Sequence, residues 1–544
     1  MVKLLDDYVT NKAAFEKAGI TVPTYDAAKT SAETKKAPVW LHFGGGNLFR
    51  CFHAMIAQKL LDAGELDAGV LVGETWDDAV VKDIYKKYDD RILSVVMKAD
   101  GTLDKTLLAS VGDAEYFNRD NPAGFEAITA AFKSKSLQFV TFSITEKGYA
   151  LTDMNGNLTA QAQADIKGGP DKAATNMGLM AYLLYTRFQN GAYPIAMVST
   201  DNFSENGQKL ENAVLTIAKG WLENGSVDQK FVDYLSDPKQ VSFPWSMIDR
   251  ITPNPSEKVS QQLAAAGFED TDILHTAKHT NIAPFGNTEE VHYLVIEDSF
   301  PNGRPALDKA GVILTDRDTV NDADQMKVTA CLNPLHTSLA IFGCLLRYQS
   351  IAEEVADPDL LNLIKNLGYG EDLSVVVDPK IIDPKQFIDQ LIQKRLPNKN
   401  IPDTPQRIAT DTSQKLPIRY GVTIQHYIDD PSRDPKDLEF IPLILAGWCR
   451  YLTGIADDGA SFELSNDPLL DQLQPRFKNV QLGADIDAHE ILQPILANKS
   501  IFAHDLYAIG LGEKVEAYFK QMLQAKGSVR GTIQAALKAH GKNY

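Results

Sequence analysis

Through the first 300 residues, short apolar runs alternate with longer stretches whose apolar positions recur every three or four residues. Residues 38–43 (PVWLHF) read as a strand, and Gly44, Gly45 and Gly46 as a turn. Residues 47–63 follow with Leu48, Phe52, Met55, Ile56 and Leu60 on one helical face. Residues 69–73 form a second buried strand pattern, and 92–97, 139–144 and 195–199 form further ones. Helical patterns over 173–189 and 206–224 lie between them. Such alternation predicts a parallel sheet covered on both faces. Residues 1–37 read as a short helical lead-in, and 291–296 as a strand closing the first domain. Beyond about residue 320, amphipathic stretches take over at 331–349, 358–367, 384–394, 442–455 and 511–539, with a loop rich in Pro and Asn over 395–405. The predicted class is α/β: a sheet-containing domain over 1–318, then a mostly α-helical domain over 319–544.

Composition narrows the function. A net charge of −18 leaves no basic footprint for a nucleic acid and disfavours an anionic membrane surface. The first residues mix charges too freely for a signal peptide, and no apolar run reaches the length of a membrane span. The four cysteines, Cys51, Cys331, Cys344 and Cys449, form no CxxC pair, and the ten histidines no HExxH. Neither a disulfide framework nor a metal site is expected, and a reducing cytoplasm is the natural setting. The remaining partner class is a small molecule. Nothing in the pattern specifies an oligomeric state.

A strand, the turn Gly44-Gly45-Gly46 with Asn47 and Leu48, and then a helix form the βα geometry of a dinucleotide site of Rossmann type. Glycines let the backbone turn tightly beside a pyrophosphate, and the helix start offers N–H groups. Phe49 stands where the third glycine of GxGxxG belongs, so a glycine turn without a ligand is the alternative. The second strand ends at Glu74, an acid suited to the adenosine ribose hydroxyls and hence to NAD. No Arg or Lys occurs in residues 75–78 to meet a 2′-phosphate. A P-loop is excluded, because Asn47-Leu48 replaces GK[ST].

Seven islands in fixed order carry a stronger signal: HFGGGNLFRCFH at 42–53, TEKGY at 145–149, STDNFSENG at 199–207, FPWSMIDRITP at 243–253, VIEDSFP at 295–301, MKVTACLNPLH at 326–336 and RIATDTSQKLP at 407–417. Together they resemble the polyol-specific long-chain dehydrogenases, the mannitol dehydrogenase family, over roughly residues 40–420. The resemblance implies a Rossmann-type N-terminal domain, a helical C-terminal domain and metal-free hydride transfer between NAD and a secondary alcohol. It makes Lys327 the general acid/base, with Asn202, Asn333 and His336 polarising the reacting oxygen. Asp324 becomes a proton relay. Asp249, Arg250, Arg407 and Lys415 become substrate-binding, and Thr145, Glu146 and Asp201 join the glycine turn and Glu74 in holding the cofactor. The implied activity is interconversion of D-mannonate and D-fructuronate, with mannitol or tagaturonate chemistry as alternatives.

One departure stands out. The family pattern is Lys, four residues, Asn, two residues, His, whereas five residues, 328–332, separate Lys327 from Asn333. On a regular helix Lys327 and His336 would then differ by roughly 180°. A bulged turn absorbing one residue would restore the set. Without it, the chain reads as a non-catalytic NAD-binding sensor.

Overall fold

The computed structural model describes residues 1–153 and 156–544. The chain divides into two compact units, one comprising Met1–Lys98 and Thr102–Asn321, the other Ala99–Gly101 and Asp322–Tyr544.

The first unit is built on a six-stranded sheet: β1 (Trp40–Phe43), β2 (Val70–Glu74), β3 (Val111–Tyr116), β4 (Phe139–Phe142), β5 (Ile195–Ser199) and β6 (Val241–Ser242). Their spatial order is 3-2-1-4-5-6 and every pairing is parallel. β1, β2, β4 and β5 are buried along their whole length, which explains why they read as continuous apolar runs rather than alternating ones. The two faces bury separate apolar clusters. One gathers Leu41, Val140 and Met197 with Met180 and Trp221; the other gathers Trp40, Val72 and Val198 with Phe49 and Ile56. The strand order reverses between β1 and β4, so the crevice beyond their C-terminal ends is where a doubly wound sheet binds ligands.

Two expectations are corrected. Residues 92–97 form a strand, Ile92–Met97, but outside the parallel sheet: it pairs antiparallel with Leu103–Leu108 and parallel with Phe285–Glu289 in a separate four-stranded sheet. Burial along one run shows that a strand is enclosed, not which sheet encloses it. The lead-in is not purely helical, since Ile20–Thr21 joins that same sheet. The strand expected at 291–296 is Tyr293–Glu297, between Ser246–Asp249 and Ile313–Thr315.

The second unit is almost entirely helical. Most of a helical run, Arg317–Leu346, lies in it; the run is long and apolar enough to cross a membrane by length and composition, although 78% of its apolar 18-residue stretch is buried within the fold. The sequence pattern hid this run, because charges in its first turns precede the apolar stretch. Phe440–Tyr451, buried at every position, is a second core helix.

Candidate functional site

In the first unit the glycine turn leaves β1 where the crevice opens. Gly44 has φ +104°, and a Cβ there would lie 2.3 Å from the Ser143 carbonyl oxygen. A Cβ on Gly45 would meet the Tyr85 ring at 3.0 Å and Glu74 Oε2 at 3.1 Å. Nothing stands within 4 Å of one on Gly46. The first two glycines thus serve packing, and the third keeps space open in front of the helix that begins at residue 47. That cradle, with the first N–H groups of the helix facing it, fits a dinucleotide pyrophosphate.

Phe49 is accommodated by a local widening of the helix. Phe49–His53 forms a π-turn in which the Ala54 N–H donates to the Phe49 carbonyl, and the wider turn seats the fully buried Phe49 ring 4.5 Å from His42. Glu74 also bonds the backbone around it. Its carboxylate, 6% exposed, accepts from the N–H groups of Gly45 (2.6 Å), Trp76 (2.7 Å) and Asp77 (3.1 Å). Burial raises its pKa against those backbone bonds. It ties the glycine turn to the end of β2.

The loop after β4 is fastened in the same way. Asp201 accepts from the N–H groups of Ile144 (3.0 Å) and Thr145 (2.9 Å) and from the Tyr149 hydroxyl (2.6 Å). Thr145 sits at φ 64°, ψ 157°, a conformation that costs a non-glycine residue about 1–3 kcal/mol and collects at ligand sites. Glu146 points outward to Lys209 at 2.8 Å. Asp201 therefore acts by holding the strained Thr145 backbone beside the crevice. Asn202 is exposed on the neighbouring loop, and Asp249 is buried at the end of its strand. Arg250 donates to Thr288 Oγ1 at 2.8 Å and lies 5.2 Å from the Phe52 ring centre.

Beneath the turn lies a pair the sequence did not single out. His42 bonds Thr141 Oγ1 (2.6 Å) and Ser143 Oγ (2.8 Å), His53 bonds Thr200 Oγ1 (2.8 Å), and the rings are 4.6 Å apart. Burial drives both pKa values down, that of His53 to about 3. The unfolded chain takes up protons below about pH 6.5 that the folded chain refuses. Stability from this pair is thus complete above pH 6.5 and falls as the pH is lowered, by about 3 kcal/mol at about pH 4 for His53 alone. Melting temperatures measured from pH 7 to 4 should fall less steeply for His53→Asn than for the parent; equal slopes would remove His53 from the acid sensitivity.

In the second unit, Lys327 is 2% exposed and its Nζ lies 3.2 Å from Asp324 Oδ1. Lys327–Cys331 is a π-turn, closed by a 3.1 Å bond from the Leu332 N–H to the Lys327 carbonyl. This is the bulge that the extra residue calls for. Taking up one residue turns the offset of Lys327 and His336 from roughly 180° to roughly 80°. Pro334 sits in the first turn of Asn333–Leu346, where its missing N–H costs little. Asn333 is half-buried.

His336 Nε2 lies 3.7 Å from Asp403 Oδ2, and burial holds its pKa near 4 against that carboxylate, so the ring is neutral at neutral pH. Arg407 pairs with Asp403 from a largely exposed position. Lys415 is committed to the backbone: its Nζ donates to the carbonyls of Ile408 (3.0 Å) and Thr410. Burial and the nearby Arg419 lower its pKa to about 8. Lys415 fixes the loop that carries Arg407. Asp403 and Arg395, which lines a small cavity with His336 and Asp403, were missed, since both fall in the segment that reads only as a loop. Among the described residues no group of three or more His, Cys, Asp or Glu is arranged for a metal ion, and all four cysteines are buried and free.

Two family models match: the mannitol dehydrogenase Rossmann domain over residues 39–309 and the mannitol dehydrogenase C-terminal domain over 320–523. The chain is 48% identical over 535 residues, 98% of each chain, to a D-mannonate oxidoreductase of Thermotoga maritima. Among solved structures it resembles substrate-free D-sorbitol dehydrogenase (25% identity, TM-score 0.79, covering 95% of this chain and 98% of that one). It also resembles mannitol 2-dehydrogenase of Pseudomonas fluorescens in a ternary complex with NAD and D-mannitol (26% identity, TM-score 0.68, covering 96% of each).

Proposed function

The chain belongs to the mannitol dehydrogenase family, and from that premise we propose that it interconverts D-mannonate and D-fructuronate with NAD as cofactor. The observation that carries the chemistry is the buried Lys327, held beside Asp324 at the head of the π-turn.

Gly46 and the N–H groups at the start of the following helix hold the pyrophosphate, and the Thr145 backbone, clamped by Asp201, borders the same crevice. NAD bound there would supply the acceptor or donor of the hydride. In the oxidative direction Lys327 Nζ takes the hydroxyl proton as hydride leaves the same carbon, so that the ketone forms and the proton is held on the amine beside Asp324. In reduction the ammonium returns that proton to the carbonyl oxygen. Asp324 passes the proton onward from Lys327. Asn202, Asn333 and neutral His336 supply hydrogen bonds to the reacting oxygen, which are strongest as negative charge develops there. Arg407 grips the sugar-acid carboxylate, Lys415 holds Arg407 in reach of it, and Asp249 and Arg250 organise the rest of the substrate.

A panel of D-mannonate, D-fructuronate, D-tagaturonate and mannitol, each with the matching form of NAD, tests the reading. Turnover should be highest on the D-mannonate/D-fructuronate pair, and Arg407→Gln should raise KM for the sugar acids at least tenfold with a smaller change in kcat. Activity confined to the uncharged polyol would defeat the sugar-acid assignment.

A further inference from the structure

The sequence places no cation at the end of β2, but the fold brings one there from far along the chain. An antiparallel hairpin, Leu274–His275 with Asn281–Ile282, lies against the rim of the dinucleotide crevice. Asn47 Nδ2 donates to the Asn281 carbonyl at 3.3 Å, and Thr276 Oγ1 donates to Asp77 Oδ2 at 2.6 Å. Its tip presents Lys278, whose Nζ donates to the Trp76 carbonyl at 2.6 Å. The same ammonium stands 5.6 Å from the ring centres of both Trp76 and Tyr116. Trp76 is two residues beyond β2 and 66% exposed, and Tyr116 ends β3.

In a sheet of this order the adenosine ribose lies beyond the end of the second strand, where an acid selects NAD and a cation accommodates the 2′-phosphate of NADP. Here the acids are mostly withdrawn. Glu74 spends its oxygens on three backbone N–H groups, and Asp77 is buried with its oxygens on Thr276 and the Ala79 N–H. Asp78 remains exposed. Lys278 has two N–H donors beyond the one directed to the Trp76 carbonyl.

We propose that Lys278 is the residue that sets cofactor choice at the ribose, that Trp76 is the platform on which the adenine stacks, and that the enzyme therefore uses NADP as well as NAD. This inference rests on the dehydrogenase reading for its kinetic test, but not for its binding test.

Calorimetric titration of the full-length protein with NAD and with NADP, in the absence of substrate, measures the two affinities directly. NADP should bind within tenfold of NAD, and its affinity should fall more steeply with added salt, because it gains one further phosphate contact. Lys278→Ala should weaken NADP at least tenfold and NAD less than threefold. Trp76→Ala should weaken both alike. Initial rates with D-fructuronate should reproduce the ratio for the two reduced cofactors. NADP affinity more than a thousandfold below that of NAD, or a Lys278→Ala effect equal on the two cofactors, overturns the proposal. Binding as expected with no turnover on any sugar acid would sink the activity assigned above while leaving the role of Lys278 supported.

Discussion

Replacing Lys327 by alanine should lower kcat for D-mannonate oxidation by about 10²–10⁴-fold while leaving NADH affinity within a few-fold of the parent, which is the range a positioned general acid/base contributes. The expectation follows from placement. The amine is withdrawn from solvent, sits 3.2 Å from Asp324, and starts the turn whose extra residue sets the register of Asn333 and His336. The glycine turn and its helix belong to the other unit, so the cofactor's principal contacts are untouched. Steady-state kinetics with a parallel NADH titration separates loss of chemistry from loss of binding, and a thermal melt checks the fold. Turnover of Lys327→Ala within a few-fold of the parent would remove this residue from the mechanism. A tenfold loss of NADH affinity would show that its role is structural.

The second large effect contrasts two neighbouring glycines. Gly46→Val adds side-chain atoms where nothing lies within 4 Å, at a backbone conformation open to any residue, so the fold should survive. Those atoms would occupy the space in front of the helix start, and NAD affinity should fall at least a hundredfold. Gly44→Ala should behave in the opposite sense. At φ +104°, with a Cβ 2.3 Å from a backbone oxygen, it should cost about 3 kcal/mol of stability through strain and overlap. Melting curves and cofactor titrations on both variants check the pair. A Gly46→Val protein that binds NAD normally would mean that the cradle is not where the pyrophosphate lies.

The sheet was legible because its inner strands are buried on both sides and read as short apolar runs, as Val70–Glu74 and Phe139–Phe142 do. Ile92–Met97 has the same signature in a different sheet, and no local pattern distinguishes the two. At the site, the π-turn at Lys327 was called for by the resemblance, because the family pattern aligns that lysine with His336 and the extra residue here would not on a regular helix. Glu74 shows a related limit: its place at the end of β2 is visible in the sequence, but the three N–H groups that converge on its carboxylate are set by the turn's tertiary path. Lys278 was invisible, since it meets the Trp76 carbonyl across 202 residues of chain and its own neighbours suggest only a surface hairpin. Lys415 and Asp201 show the same limit from the other side. Their residue types suit ligand binding, yet the folded backbone supplies the partners that use them for positioning.

Mixing the preformed NADH complex with D-fructuronate in a single turnover, parent and Lys327→Ala side by side, bears most directly on proton exchange at position 327. The expected result is rapid oxidation of NADH with one equivalent of D-mannonate formed by the parent, and oxidation at least a hundredfold slower in the variant at equal NADH affinity. A parent that binds NADH yet never oxidises it on any sugar acid or polyol, or a variant as fast as the parent, would contradict the mechanism.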